Sequence, residues 1–343
     1  EQILTNLPVI IKSPAIKTLF ERFHNIPTII VSAGPSLDKN VACLKDAKGK
    51  ALIMCVDTAL RTLFNHQIKP DIVVTIDAST KNYNYYLKDL DVSDLYLVAG
   101  PAVYPETITS FAPNVFVSGF GHPLLTWIEA FIGERGNIKL GGSVSTAAFD
   151  LARRCRCNPI ILIGQDLAFT DDKVYTAGVK QERIKEIEEI MPTADIMWVE
   201  DVFGCQVKTV RGAWTWIKWF EYQISEIPDV LCIDATEGGA KIEGTKIMTL
   251  KETIEEYCQK SFNITQTIQE SSKYYILPNL PDLLREMEVL IKDWKKVQFV
   301  SKEGATLTNK LLEIISNNQM DKRTNKILKE IGILYRRIIE EHQ

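Results

Sequence analysis

Small, acidic and hydroxyl-bearing residues recur in this sequence directly after short apolar runs, and these are the groups that could do chemistry. Gly34-Pro35-Ser36 follows the run Thr28 to Val31. Asp57 follows residues 51–56, Asp77 follows 71–76, and Gly164-Gln165-Asp166 follows 159–163. A second glycine turn, Gly141-Gly142-Ser143, opens a segment of small residues from Ser145 to Ala148. Glycines let a backbone approach a ligand closely, and Ser36 and Ser143 suit the N-cap position of a following helix. The free N–H groups and dipole of a helix start favour an anion, above all a phosphate. Neither turn is a Walker loop, since no Gly-Lys-Ser or Gly-Lys-Thr follows, and GxGxxG is absent. Asp77 and Asp166 end their runs where a ligand would sit and read as functional. Asp57 reads equally as a helix cap or a ligand. Tyr175 and Thr176 are loop hydroxyls that either reach a phosphate or face solvent. His122, in Gly121-His122-Pro123, is the histidine that follows an apolar run, and it reads as structural.

The elements that must position these groups follow from the runs themselves. They are short, continuous and rich in Val and Ile, as strands buried on both faces of a parallel sheet are. Most are separated by enough residues for a helix, which predicts an α/β, Rossmann-like, doubly wound and mostly parallel sheet. In such a sheet the C-terminal strand ends form the ligand crevice. Residues 170–210 contain no strong core strand and are placed as a lid-like insertion, with a charged helix over Ile184 to Met191 and a hairpin from Trp198 to Thr209 around Phe203-Gly204. Trp216, Trp219 and Phe220 read as one helix face packed on the sheet. The glycine-dense loop from Asp234 to Ala240, which holds Glu237, makes a third crevice wall. From Leu250 the chain turns helical, with apolar stripes at Leu283, Leu290, Ile291 and Trp294 and at Ile327, Ile331 and Leu334. The expected organisation is a lead-in over 1–25, a remnant of an upstream domain; a Rossmann-like domain over 26–249 that holds the ligand crevice, which the resemblance given below makes a nucleotide-sugar-binding catalytic domain; and a C-terminal helical domain over 250–343.

Bulk properties narrow the function classes. The 343 residues are 45% hydrophobic and 24% charged, with a net charge of −4. That balance argues against general nucleic-acid binding, and the basic residues from Lys322 to Arg337 lie among acids as a solvated face. No apolar run approaches the ~18 residues of a membrane span. The first residues carry no basic lead-in or cleavage site, so a cytoplasmic location is expected. The absent initiator Met fits a fragment. Seven cysteines include one close pair, Cys155 and Cys157, with no second pair or histidine nearby, so reduced thiols and no metal site are expected.

Five segments together carry a family resemblance: IIVSAGPSLDKN, KGKALIMCVDTALRTLFNHQIKPDIVVTIDAS, GGSVSTAA, IILIGQDLAF and IDATEGGAKIEGT. They resemble the bacterial motility accessory factors (Maf), flagellin glycosyltransferases acting on nonulosonic acids such as pseudaminic and legionaminic acid. The likeness runs from about Ile26 to about Thr249, and members usually carry a further N-terminal domain. The core is also similar to archaeal 6-hydroxymethylpterin diphosphokinase and to the fold of bacterial sialyltransferases. The resemblance implies transfer of a nonulosonic acid from its CMP-activated donor to Ser or Thr hydroxyls of flagellin, in the cytoplasm. By it, Gly34, Pro35, Ser36, Gly141, Gly142 and Ser143 would contact the CMP, and Asp77, Gln165 and Asp166 would lie beside the sugar or ribose. Such a transfer needs no strong protein nucleophile; it needs a stabilised leaving phosphate and a base for the acceptor hydroxyl. Asp166 is the first candidate for that base, with Asp77, Glu237 and His122 behind it. The related sialyltransferases use a histidine, and His122 does not match it. No clear DxD motif calls for a metal, although Asp77 and Asp166 would hold Mg2+ in a kinase-like relative. The competing functions are an ATP-dependent pyrophosphokinase and a non-catalytic flagellin-binding factor.

Overall fold

The computed structural model describes residues 1–119, 121–190, 194–275, 280–316 and 322–340. Every one of the apolar runs forms a strand: β1 Thr28–Val31, β2 Leu52–Val56, β3 Ile72–Thr75, β4 Tyr96–Ala99, β5 Val115–Val117, β6 Ile160–Ile163 and β9 Cys232–Asp234. A two-residue strand, β10 Lys246–Ile247, closes one edge. The eight pair in the order β10-β9-β6-β1-β2-β3-β4-β5, and every ladder is parallel. The residues of β1, β2, β3 and β6 are buried throughout, which is why no polar alternation marks them in the sequence.

The chain builds outward from β1 through β2 to β5, then returns to place β6 on the other side of β1. The return is made by the helix Val144–Arg154, which rests on β1, β2, β3 and β6. Its small residues, Ala147, Ala148 and Ala152, let it sit close to the sheet. Phe149 meets Phe220 edge-on at 5.4 Å, and Trp219 joins the same cluster. Phe220 and Trp219 come from the helix Arg211–Ser225, so that part of the aromatic group is core, as its spacing predicts.

The chain divides into two compact units, Glu1–Pro278 and Asn279–Gln343. In the first, the helix Gln2–Lys12 and the residues after it add Ile10, Ile16, Leu19 and Phe23 to the buried interior. Asn6 Nδ2 donates to the carbonyls of Pro101 (3.1 Å) and Val103 (2.8 Å), tying that helix beyond the end of β4. The helices Leu250–Tyr257 and Ile264–Lys273 belong to the same unit. The second unit holds two helices packed on each other, Leu280–Ser316 and Lys322–Glu340. Leu283 is buried there, whereas Ile291 and Trp294, expected on the same stripe, are exposed. Among the described residues no helix is long and apolar enough to cross a membrane.

The stretch 170–210 contains the helix Gln181–Ile190 and the antiparallel hairpin β7 Ile196–Glu200 with β8 Gln206–Val210, as its pattern predicts. Gly204 takes φ +83° in the connection. Met191, expected to end the helix, lies outside the described residues.

Candidate functional site

A cavity of about 340 Å3 opens at the C-terminal ends of β1, β2 and β6. It sits at the point where the strand order reverses, between β1 and β6, where open parallel sheets bind their ligands. Ser32 to Gly34 and Gly164 to Phe169 line its floor. Ser143, Val144 and Ser145 bring the start of the crossover helix to it. Val174, Tyr175 and Ile187 of the insertion, Thr209 and Val210 of β8, and Trp216 complete the walls. Among the described residues that line it there is no Lys, Arg or His.

Asp166 organises the floor. It is 2% exposed. Its Oδ2 accepts from Ser36 Oγ at 2.6 Å, and its Oδ1 accepts from the Ser36 N–H at 3.2 Å and from Thr170 Oγ1 at 2.5 Å. The expected cap at Ser36 is therefore corrected: the helix after it, Leu37–Asn40, is a single turn, and Ser36 makes no side-chain cap bond to it. The anion bound at this turn is the protein's own carboxylate. A Cβ on Gly34 would lie 1.9 Å from Asp166 Oδ2. The glycine is required by that carboxylate. Ser32 Oγ donates to Gln165 Oε1 at 2.6 Å, stitching the same two strand ends together. Burial pushes the Asp166 carboxyl above its ordinary value, and its hydrogen bonds with Ser36 and Thr170 oppose the rise.

The second turn behaves differently. Ser143 caps the crossover helix as predicted, accepting from the Ser145 N–H at 3.3 Å, and its Oγ lies 2.9 Å from Ser145 Oγ. The glycines before it serve a packing need. A Cβ on Gly141 would be 2.6 Å from the Trp219 ring, and one on Gly142, at φ +95°, would be 2.9 Å from Trp216 Nε1. Two indoles occupy the space that the pattern assigned to a ligand. Trp216, expected in the core, is half-buried and turns to the cavity.

The remaining candidates scatter. Asp57 is fully buried behind the cavity, accepting from Asn82 Nδ2 (3.1 Å), the Thr58 N–H (2.7 Å) and Thr75 Oγ1. Burial pushes its pKa from 3.8 to about 6. Asp77 is exposed and accepts from the Ser79 N–H at 2.7 Å. Glu237 Oε1 accepts from Asn40 Nδ2 (3.0 Å) and the Leu250 N–H (2.9 Å), holding a loop. His122 Nδ1 accepts from the Leu124 N–H at 3.2 Å as the cap of the helix Pro123–Ile132. Thr176 Oγ1 is buried on Asp38 and Thr62, while Tyr175 lines the cavity. Pro35 is buried within its turn. Of the four candidate bases, Asp166 is the one that lines the cavity. Among the described residues no three His, Cys, Asp or Glu side chains gather where they could hold a metal ion. Asp166 lines the cavity and Asp77 is not among its described lining residues.

Asp234, at the end of β9, is 1% exposed. Its Oδ1 accepts from the Thr236 N–H at 3.0 Å, and its Oδ2 has no hydrogen-bond partner among the described residues. Burial raises its pKa from 3.8 to about 6, and the Asp166 charge adds to the rise. The protonated form is favoured on folding, so the stabilisation it gives is complete below the unfolded value and is lost as pH rises through about 6. Asp234→Asn keeps an acceptor for Thr236 and carries no charge. Wild type should lose about 2 to 3 kcal/mol from this group between pH 4 and pH 8. Denaturant midpoints of the variant should lack that component, and parallel pH profiles for the two proteins would contradict it.

The family model described as 6-hydroxymethylpterin diphosphokinase MptE-like matches residues 1–172, half of the chain. No curated protein matches it. Among solved structures, the Maf glycosyltransferase from Magnetospirillum magneticum AMB-1 matches with a TM-score of 0.59 at 15% identity. The match covers 94% of this chain and 49% of that one, so the chain spans about half the length of that protein. The likeness establishes the shared fold, C-terminal helices included.

Proposed function

The chain belongs to the 6-hydroxymethylpterin diphosphokinase MptE-like family, and from that premise we propose that it is a glycosyltransferase of the Maf type. In this reading it moves a nonulosonic acid, pseudaminic or legionaminic, from its CMP-activated donor to Ser or Thr hydroxyls of flagellin. The reaction takes place in the cytoplasm and uses no resident cofactor. The cavity at the β1/β6 switch point carries the proposal. Its walls are largely apolar and aromatic, and the described lining residues include no cation to balance a triphosphate. A CMP-nonulosonate brings one phosphodiester charge and one carboxylate charge, fewer than a triphosphate, and the N-terminus of the crossover helix and the Ser143 and Ser145 hydroxyls suit the phosphodiester. Tyr175 and Trp216 offer flat surfaces to base and sugar.

The chemistry asks two things of this chain. As the bond from the anomeric carbon to the phosphate breaks, the helix start and the serine hydroxyls hold the departing phosphate oxygens. As the acceptor oxygen attacks, Asp166 takes its proton, and the raised pKa of a buried carboxyl makes it a stronger base than an exposed one. Ser36 and Thr170 hold that carboxylate in place.

One observation favours a second reading: the family is described by a diphosphokinase, which would take ATP with Mg2+. Melting with CMP, UDP or ATP·Mg2+ separates the two. A ligand at 100 times its Kd stabilises by about 2.7 kcal/mol, and CMP is expected to do so while ATP does not. Stabilisation by ATP·Mg2+ with none by CMP would install the kinase reading instead. Flagellin incubated with the CMP-nonulosonate should then gain the mass of the sugar and release CMP.

A further inference from the structure

A cavity whose described lining residues include no cation is an awkward place for an anionic ligand, since a desolvated charge needs a partner. A suitable partner sits on the insertion helix Gln181–Ile190. Ile187 of that helix lines the cavity, and Arg183 lies four residues before it, on the same half-buried face. The guanidinium charge acts on Tyr175, itself a cavity wall, and on Tyr86. We infer that Arg183 is the residue that meets the oxyanion of the ligand, a phosphate or a sugar carboxylate, and that the insertion helix is positioned to present it.

The positioning is built from several contacts. Arg183 Nε donates to Tyr86 Oη and its Nη1 to Glu186 Oε2, both at 3.2 Å. Glu186 Oε1 in turn accepts from Tyr85 Oη at 2.7 Å and from Lys81 Nζ at 3.1 Å. Lys180 Nζ donates to the Asn84 carbonyl at 2.8 Å. Three contacts from the helix and one from Lys180 just before it thus fasten this segment to the π-helical turn Tyr83–Leu87 and the residues before it. That turn is anchored below by Asn82 on Asp57. The guanidinium fork matches a carboxylate or a phosphate with two parallel donors, a geometry that lysine cannot reproduce.

The inference rests on reading the cavity as a nucleotide-sugar site, and its test separates the two. Wild type, Arg183→Ala, Arg183→Lys and Tyr86→Phe are titrated with cytidine, CMP and CMP-N-acetylneuraminate by calorimetry. Arg183→Ala should weaken an anionic probe by about ten- to hundred-fold and leave cytidine unchanged. Arg183→Lys should recover part of the loss, and Tyr86→Phe, which frees the guanidinium from its hydroxyl, should show a smaller loss of the same pattern. Loss on CMP assigns Arg183 to the phosphate; loss on CMP-N-acetylneuraminate alone assigns it to the carboxylate. Equal weakening of all three probes makes Arg183 merely structural and overturns the inference, as does unchanged affinity for all three. Wild type binding none of the probes overturns the functional reading as well.

Discussion

Asp166→Asn is expected to leave the protein folded and able to hold CMP while lowering turnover by about 10^2- to 10^4-fold, the usual contribution of a general base. The substitution is nearly isosteric. An amide oxygen at the Oδ1 position still accepts from the Ser36 N–H and Thr170, and the amide nitrogen can donate to a reoriented Ser36 hydroxyl. The structural cost should stay near 1 kcal/mol. Asp166→Ala is different, because it strands a buried Ser36 N–H and empties the floor, at a cost of about 3 kcal/mol. The pH profile gives the sign. The carboxylate is the active form, and burial raises its pKa, so wild-type turnover falls on acidification at a higher pH than an exposed aspartate would require. The residual activity of Asp166→Asn should lack that limb. A variant that turns over at the wild-type rate would reduce Asp166 to a clamp on Ser36.

The second large effect is Gly34→Ala. Its Cβ would meet Asp166 Oδ2 at 1.9 Å and the Gly164 carbonyl at 2.6 Å. The carbonyl cannot retreat, because it accepts from the Gly34 N–H itself at 2.7 Å. The carboxylate must turn away and release Ser36 and Thr170. Overpacking and the broken bonds together should cost about 3 to 5 kcal/mol and abolish nucleotide binding. Gly212→Ala is the control. It sits in the helix Arg211–Ser225 with open space around its Cα, so alanine should stabilise by about 1 kcal/mol through helix propensity. Denaturant midpoints that move in the same direction for both variants would contradict this account of Gly34.

Both predictions turn on contacts between segments far apart in the chain, and that distance marks what could be read early. The strands were legible, since a run such as Ile160 to Ile163 is apolar for a purely local reason: both of its faces are covered. The hairpin around Gly204 and the cap at Ser143 were legible for the same reason, because each is decided within a few residues. Ser36 shows the limit. Its local pattern is that of a cap, yet a carboxylate 130 positions away in the chain takes both its N–H and its hydroxyl. Gly141 and Gly142 show it again, their space filled by Trp219 and Trp216 from another helix. Arg183 had a signal, its four-residue spacing from Ile187, but nothing local says which face of that helix meets a cavity.

The sequence by itself therefore determined the parallel sheet, its alternating helices and the edge along which glycines, hydroxyls and acids would gather, because burial and turn formation are written in neighbouring residues. Only the tertiary structure decided which of those residues share one cavity. That choice depends on strand order, on β6 returning beside β1, and strand order is settled by packing across the whole chain.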